Sequence, residues 1–537
     1  MTPAGEGEWR RLDRRTSLVT AAVLCGVAAG AGVPVTAGLA GSRPLWQALA
    51  WVLAGAFLLI GGGTTAEHVR LRHTRYRIGA DQVELHSGLL LLKRRSLARE
   101  RIRSVDLTAN PLQRVLGLVK VRIGTGESTG GGESTLELEF VTRTEGERLR
   151  RELLTRAFAP EAVPGHDGTL AVLDPRWIRY APVSFVTGLL AGAAAGAVMQ
   201  VSEWFGVQSE VIDWIGDRFQ DVSLPWMIVD LALLATLAGA VGSLGLWVEM
   251  WWNHRLEREP GGTLRVRRGL FSTRSVTLEE ERLRGVELVE PLGVRLAGAA
   301  RVDAVASGLA EDDEKHTDLK TLLPAAPRAV AARIAAEVLR EPVTPFSVPL
   351  TPHPRAARAR RLRWALSAVL LPAAVLALLG ALLTPVLLYV AAGWTLVLSP
   401  LAVALALDAY RSLGHALGGA HLVTRSGTAR RATVALQRSG IIGWTVKQSY
   451  FQRRAGILTL TATTAAGERA YDVLDADASE GLAFAAEAVP GLLTPFLETA
   501  ETAATAATVE SAGTPETAEP ARTVEAPGTA EARSTEG

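Results

Sequence analysis

Along the chain, long apolar stretches alternate with stretches in which apolar and polar residues change places every second position. Six of the apolar stretches are long enough to cross hydrocarbon about 30 Å thick, which takes roughly 20 helical residues. They fall in pairs: Ser17 to Ala40 with Leu45 to Ala66, Tyr180 to Val201 with Pro225 to Trp252, and Ala365 to Leu383 with Pro385 to Leu407. Six helices without a charged face would otherwise need a very large soluble core, so the pattern predicts membrane spans. Trp46, Trp177, Trp226, Trp251, Trp252 and Trp364 lie at or near the predicted ends, where an indole suits the headgroup boundary. Thr384 and Pro385 mark the break between the last two stretches, which form either a tight hairpin or one bent, re-entrant segment.

After each pair the pattern becomes that of strands. Val119 to Ile123 and Leu136 to Phe140 alternate as half-buried strands do, and Tyr76 to Ile78 and Val83 to Leu85 flank a short turn. Gly124 to Gly132 reads as a hairpin loop. Glu145 to Ala157, Pro327 to Leu339 and Ala478 to Ala488 are helix-compatible, one closing each β-rich module.

The modules repeat a motif. Gly88, Arg101, Arg114 and Gly117 recur 181 positions on as Gly269, Arg282, Arg295 and Gly298, and Gly88, Gln113, Arg114 and Gly117 recur 339 positions on as Gly427, Gln452, Arg453 and Gly456. The second copy has Val294 where the others have glutamine, and the third has Gly440 at the position of Arg101. In Ser87-Gly88-Leu89, Arg101 to Leu107 and Gln113 to Leu118 the chain resembles the bacterial pleckstrin-homology-like (PH-like) domain of the DUF304, or bPH2, type. The triplicated whole is similar to YdbT-like membrane proteins. The resemblance implies a split barrel of two antiparallel sheets capped by a C-terminal helix, and implies no established activity.

The expectation is therefore a multi-domain integral membrane protein with six transmembrane α-helices in three hairpins and three cytoplasmic PH-like split β-barrels. Residues 1–66 hold the N-terminus and first hairpin, 67–160 the first module, and 161–252 a linker and the second hairpin. Residues 253–342 form the second module, 343–407 a basic linker and the third hairpin, and 408–496 the third module. Residues 497–537 carry almost no large apolar side chain and read as a disordered tail.

Composition agrees with this segregation: 48% of the 537 residues are hydrophobic and 21% charged. The net charge of +2 does not suggest a nucleic-acid partner. The single cysteine, Cys25, excludes a disulfide within the chain and any multi-cysteine metal site. Arg10, Arg11, Arg14 and Arg15 precede an apolar stretch too long for a signal-peptide core, so they read as a cytoplasmic flank. The loop inside the second pair is acidic, with Glu203, Glu210, Asp213, Asp217 and Asp221, whereas Arg355, Arg358, Arg360, Arg361 and Arg363 precede the third. Basic flanks stay inside, which places all three modules and both termini in the cytoplasm.

No zincin helix, Walker loop or nucleophile elbow occurs, and no catalytic residue, cofactor or metal site is expected. The nine histidines read as scattered surface residues, and Glu311 to Glu314 as a solvated loop. Asp230, near the start of its span, can reach the outer interface. Lys93, Arg94 and Arg95, with the cluster Arg355, Arg358, Arg360, Arg361 and Arg363, are the candidate contacts for anionic lipid headgroups or an acidic partner. These features lead to a non-enzymatic membrane scaffold that contacts the bilayer and a membrane protein partner or a second copy. A role in envelope maintenance or stress resistance is implied by the resemblance alone. A transport component and a membrane enzyme of unfamiliar type are the alternatives.

Overall fold

Among the described residues of the computed structural model, five helices are long and apolar enough to cross a membrane: Thr16–Ala40, Leu45–His73, Leu224–Trp251, Arg355–Leu382 and Val386–Ser412. The described residues are 9–13, 15–79, 81–88, 92–102, 104–124, 135–155, 168–259, 262–307 and 320–493. Arg14, most of the glycine-rich loop, the acidic run at 311–314 and the C-terminal tail lie outside them. Thr16–Ala40 pairs with Leu45–His73, and Arg355–Leu382 with Val386–Ser412, so the break at Thr384 and Pro385 makes two helices and not one bent segment. Leu224–Trp251 pairs with a shorter apolar helix, Phe185–Trp204.

The second hairpin differs most from expectation. Its first helix starts at Phe185, because Trp177 and Tyr180 belong to a short 3-10 turn, Pro175–Tyr180, that is buried in the soluble core. Asp174 caps that turn by accepting from the Arg176 amide. Trp177 is therefore no interfacial tryptophan. The expected acidic loop contains a helix, Gln208–Arg218, with Glu210, Asp213 and Asp217 interspersed with exposed Ile212 and Trp214. Close helix approach uses glycines other than the spaced pairs in the sequence. Gly26, Gly30, Gly192 and Gly196 face open space, whereas a Cβ on Gly63, Gly239 or Gly380 would meet the paired helix within 3 Å.

The strands are β1 (Arg10–Arg11), β2 (Arg75–Ile78), β3 (Gln82–Ser87), β4 (Lys93–Ala98), β5 (Ser104–Ala109), β6 (Leu118–Gly124) and β7 (Thr135–Thr142) in the first unit. The second has β8 (Gly168–Val172), β9 (Arg255–Glu259), β10 (Thr263–Arg268), β11 (Thr273–Glu279), β12 (Leu283–Pro291), β13 (Ala299–Ala306) and β14 (Thr321–Pro327). The third has β15 (Gly414–Gly418), β16 (His421–Ser426), β17 (Arg430–Gln437), β18 (Ile441–Lys447), β19 (Ile457–Thr464) and β20 (Ala470–Asp477). All pairings are antiparallel, in sheets ordered β1-β2-β3-β4, β7-β6-β5-β11-β10-β9-β8, β14-β13-β12-β17-β16-β15 and β18-β19-β20.

Each unit thus divides its strands between two sheets, and the central sheets run across unit boundaries. The core of the first unit joins Val83, Leu85 and Leu97 from one half to Val105, Val121 and Leu138 from the other, under Leu149 of the closing helix Arg143–Thr155. The second unit does the same with Leu264, Leu288 and Ile334, the last from the closing helix Arg328–Leu339, and its core extends to Val423 and Ala435 of the third. A third closing helix, Ala478–Ala488, buries Phe484 and Ala485. The chain also contributes to a unit before entering its hairpin: β1 pairs with β2, β8 with β9, and Thr351 bridges His415. Both ends of every hairpin are held by the unit that follows it.

Candidate functional site at the unit junctions and open edges

Most of the signature residues shape turns and helix ends within their own units. Gly88, Gly269 and Gly427 have φ of 123°, 112° and 95°, and a Cβ on Gly269 or Gly427 would come within 2.0 Å of a carbonyl oxygen across the turn. Gly117, Gly298 and Gly456, at φ of 70°, 72° and 65°, end the short helices Pro111–Val115, Leu292–Leu296 and Tyr450–Arg454. Gln113 and Gln452 complete capping boxes at the starts of their helices, accepting from the amides of Asn110 and Ser449 at 2.8 and 2.9 Å. Val294 has no such role and is buried in the core, which accounts for the departure in the second copy. Arg282 donates to Glu279 at 2.6 Å, and the side chain of Arg101 lies outside the described residues. Gly440 is buried, and Arg284 of the second unit packs against its backbone.

Arg114 and Arg295 reach across the joints. Arg114 donates to the Leu270 carbonyl, and Arg295 to the equivalent Thr428 carbonyl at 3.4 Å. Arg295 also pairs with Asp408, near the end of the last long helix, at 2.9 Å. Arg453, the third of the series, is exposed and makes no contact of this kind among the described residues.

The strand pairing across the two joints is the same. β5 meets β11 with Leu107 opposite Ser275, Thr108 opposite Arg274 and Ala109 opposite Thr273. β12 meets β17 with Leu288 opposite Thr433, Val289 opposite Ala432 and Glu290 opposite Arg431, the identical register after the repeat offsets of the sequence are applied.

At the first joint a cleft of about 100 Å³ opens beside the base of the second hairpin. Arg114, Arg143, Arg265, Arg267, Arg268 and Arg274 line it, with Glu147 as the acidic member. Arg265 is bound to Glu147 and Glu259 at 3.2 and 3.0 Å, and Arg268 lies over the Trp251 ring at 4.3 Å. Arg143 and Arg267 are exposed. Spacing along the sequence could not reveal this cleft, because its residues come from four separate stretches of the chain.

The residues singled out from the sequence are only partly brought together. Lys93, Arg94 and Arg95 form the outer strand of their sheet, and Arg94 is exposed. The arginine cluster is not a free basic patch: the helix begins at Arg355 and runs through it. Arg360 and Arg361 turn inward to Asp475, Arg361 at 3.5 Å, while Gln452 donates to the same carboxylate at 3.0 Å. Arg355, Arg358 and Arg363 are exposed. Asp230 is exposed on its helix.

The histidines depart from expectation, since His254, His353, His415 and His421 are buried and not on the surface. Three of them, His254, His353 and His415, have a ring nitrogen within hydrogen-bond distance of a neighbour. His254 lies 3.0 Å from the Leu322 carbonyl, and His353 lies 3.0 Å from His415, which stacks on Phe484. Burial pushes His254 and His415 down to about 4, so both are neutral near pH 7. Asp106, on the joint strand β5, is pushed up to about 7 by burial, opposed by Arg122 and by the Thr277 backbone amide of β11.

Paired apolar helices standing on β-sheet units define a membrane protein with soluble β domains. Residues 24–157 and 366–486 match the family described as Bacterial PH domain, and each segment takes in most of a hairpin and the unit after it. The chain is a membrane protein that carries bacterial PH domains. It is YdbT-like: over 275 residues it is 21% identical to the transmembrane protein YdbT of Bacillus subtilis (strain 168). That alignment covers 48% of this chain and 55% of the relative, so the chain spans about half the length of the protein it matches. No solved structure matches it.

Proposed function

We propose that the chain is a non-enzymatic, membrane-anchored scaffold made of three copies of one hairpin-plus-PH-like unit, with Phe185–Trp204 as the sixth span. In this reading all three units lie in the cytoplasm, where the unit surfaces contact anionic headgroups and a membrane protein partner in the service of the cell envelope. The observation that carries it is the shared joint register, which makes the three units one continuous platform and leaves their surfaces for contact. Basic flanks before the first and third hairpins support the orientation. Weak contacts suffice on such a platform, because tethering holds sites at high effective concentration. The arginine-lined cleft beside the second hairpin is the place for a headgroup, since each cation near an anionic bilayer surface gains about 1 kcal/mol.

The test is purification of the full chain in native-lipid particles, with mass spectrometry of the lipids and proteins that accompany it. Selective recovery of anionic lipid that falls in Arg143→Gln/Arg267→Gln, or of a specific protein, is the expected outcome. Solute flux in proteoliposomes that disappears in Asp230→Asn would replace the scaffold by a transporter. Orientation is read separately in a Cys25→Ser background with Glu100→Cys, which should resist a membrane-impermeant thiol reagent applied to intact cells. Labelling from outside would reverse the topology.

A further inference from the structure

Two sheet edges lack the neighbour that the joints give their counterparts in the repeat. Counted from the end of each hairpin, the fourth strand of one unit, β5 or β12, pairs at both joints with the third strand of the next, β11 or β17. The first unit's third strand, β4, and the third unit's fourth strand, β18, have no such neighbour among the described residues. Exposure registers the difference: Leu288 on β12 is fully buried, whereas its counterpart on β18, Val446, is 43% exposed. Ile442, on the same strand, is 63% exposed. Arg453, at the position of Arg114 and Arg295, is exposed and reaches no turn carbonyl of this kind among the described residues.

We propose that β18 of one chain pairs with β4 of a second copy in the antiparallel register of the two internal joints, so that chains associate head to tail. Carrying that register over sets Gly443 opposite Leu97, Trp444 opposite Ser96, Thr445 opposite Arg95 and Val446 opposite Arg94. The occupant is a second copy because this chain already makes the same pairing twice within itself. Such a contact is heterologous: each added copy presents the same free edges, and the product is a row or a closed ring. The proposal rests on joint geometry, and it stands or falls independently of the orientation and of what the cleft binds.

Charge makes the outer joint weaker than the inner ones. The fourth strand carries Asp106 at the first joint and Glu287 at the second, where Glu287 meets Arg430 at 2.7 Å. At the corresponding place β18 has Thr445, followed by Lys447, and β4 is itself basic. Edge cations restrain indiscriminate strand pairing, so association is reversible and is promoted by added salt.

The experiment uses full-length chains in a Cys25→Ser background, embedded in membranes. One differently tagged chain carries Arg94→Cys and the other Val446→Cys. Oxidation should join the two chains about tenfold more efficiently than the control of Val446→Cys with Ala98→Cys, which lies about 13 Å farther along the strand at roughly 3.3 Å per residue. A chain carrying both Arg94→Cys and Val446→Cys should give a ladder of multimers. Thr445→Glu, which restores an acid opposite Arg95, should raise the yield several-fold. Equal yields for the two pairs, joining of Val446→Cys to itself, or exclusive capture of a different polypeptide by Arg94→Cys would overturn the proposal.

Discussion

At the first joint β5 meets β11 only over Leu107–Ala109, and the groups laid across it are charged. Arg150 of the closing helix binds Glu259 of the second unit at 3.1 Å and also reaches Thr277 at 3.2 Å, while Arg265 binds Glu147. At the second joint β12 runs beside β17 from Gly285 to Pro291, and Val423 and Ala435 enter the same core as Leu288 and Ala331. The positions of Arg150 and Arg265 are occupied there by Ala331 and Val423. One backbone register is therefore held by two chemistries. The apolar share of the second joint is nearly indifferent to salt and pH, beside the pairs Glu287–Arg430 and Arg295–Asp408, whereas the first joint has no comparable shared core and rests on ion pairs, which makes it the more responsive to salt.

The largest effect is expected at the first joint. Arg150→Met removes one partner of an ion pair whose arginine is 8% exposed, at a cost of about 3 kcal/mol. Amide exchange should rise at Thr273–Ser275 and stay unchanged in β17. Equal loosening of both joints would mean that the units do not open separately. Next comes Gly285→Val at the second joint, where a Cβ would stand 2.2 Å from the Ala435 carbonyl oxygen. Overpacking against backbone should cost about 2 kcal/mol, seen as faster proteolysis between the second and third units.

A pH titration sharpens the contrast. The carboxyl of Asp106 has a folded pKa raised from 3.8 to about 7, so its contribution to stability is fully present below the lower value and is lost as pH rises through the upper one. Asp106→Asn should leave stability little changed near about pH 3 and improve it progressively as pH rises to about 7 and above, measured by thermal unfolding of the same membrane preparation. The smallest effect is that of Arg114→Ala, which removes one bond to the Leu270 carbonyl and should loosen the first joint by about 1 kcal/mol. Exchange at Gly269 and Leu270 is the readout.

Much of this architecture was legible in the chain. The helix pair at 16–40 and 45–73 and the closing helix at 478–488 follow directly from apolar run length and periodicity. Gly88 and Gly117 stood out in the sequence by recurrence alone, and the structure shows the reason, a positive φ that other residues strain to adopt. The misplacements have physical causes. Tyr180 and Trp177 are apolar enough to read as membrane, yet the turn capped by Asp174 packs both against the soluble core. Arg360 and Arg361 read as a headgroup patch because their acceptor, Asp475, is more than a hundred residues away in sequence.

By itself the sequence determined the spans, the strands and the recurrence of the motif, since run length, alternation and turn glycines act over neighbouring residues. Only the tertiary structure decided that Arg114 and Arg295 are joint residues, that a shared sheet crosses each unit boundary, and that β4 and β18 lack such a partner among the described residues. Strand partners are chosen by which edges meet in space. No periodicity along the chain records that choice.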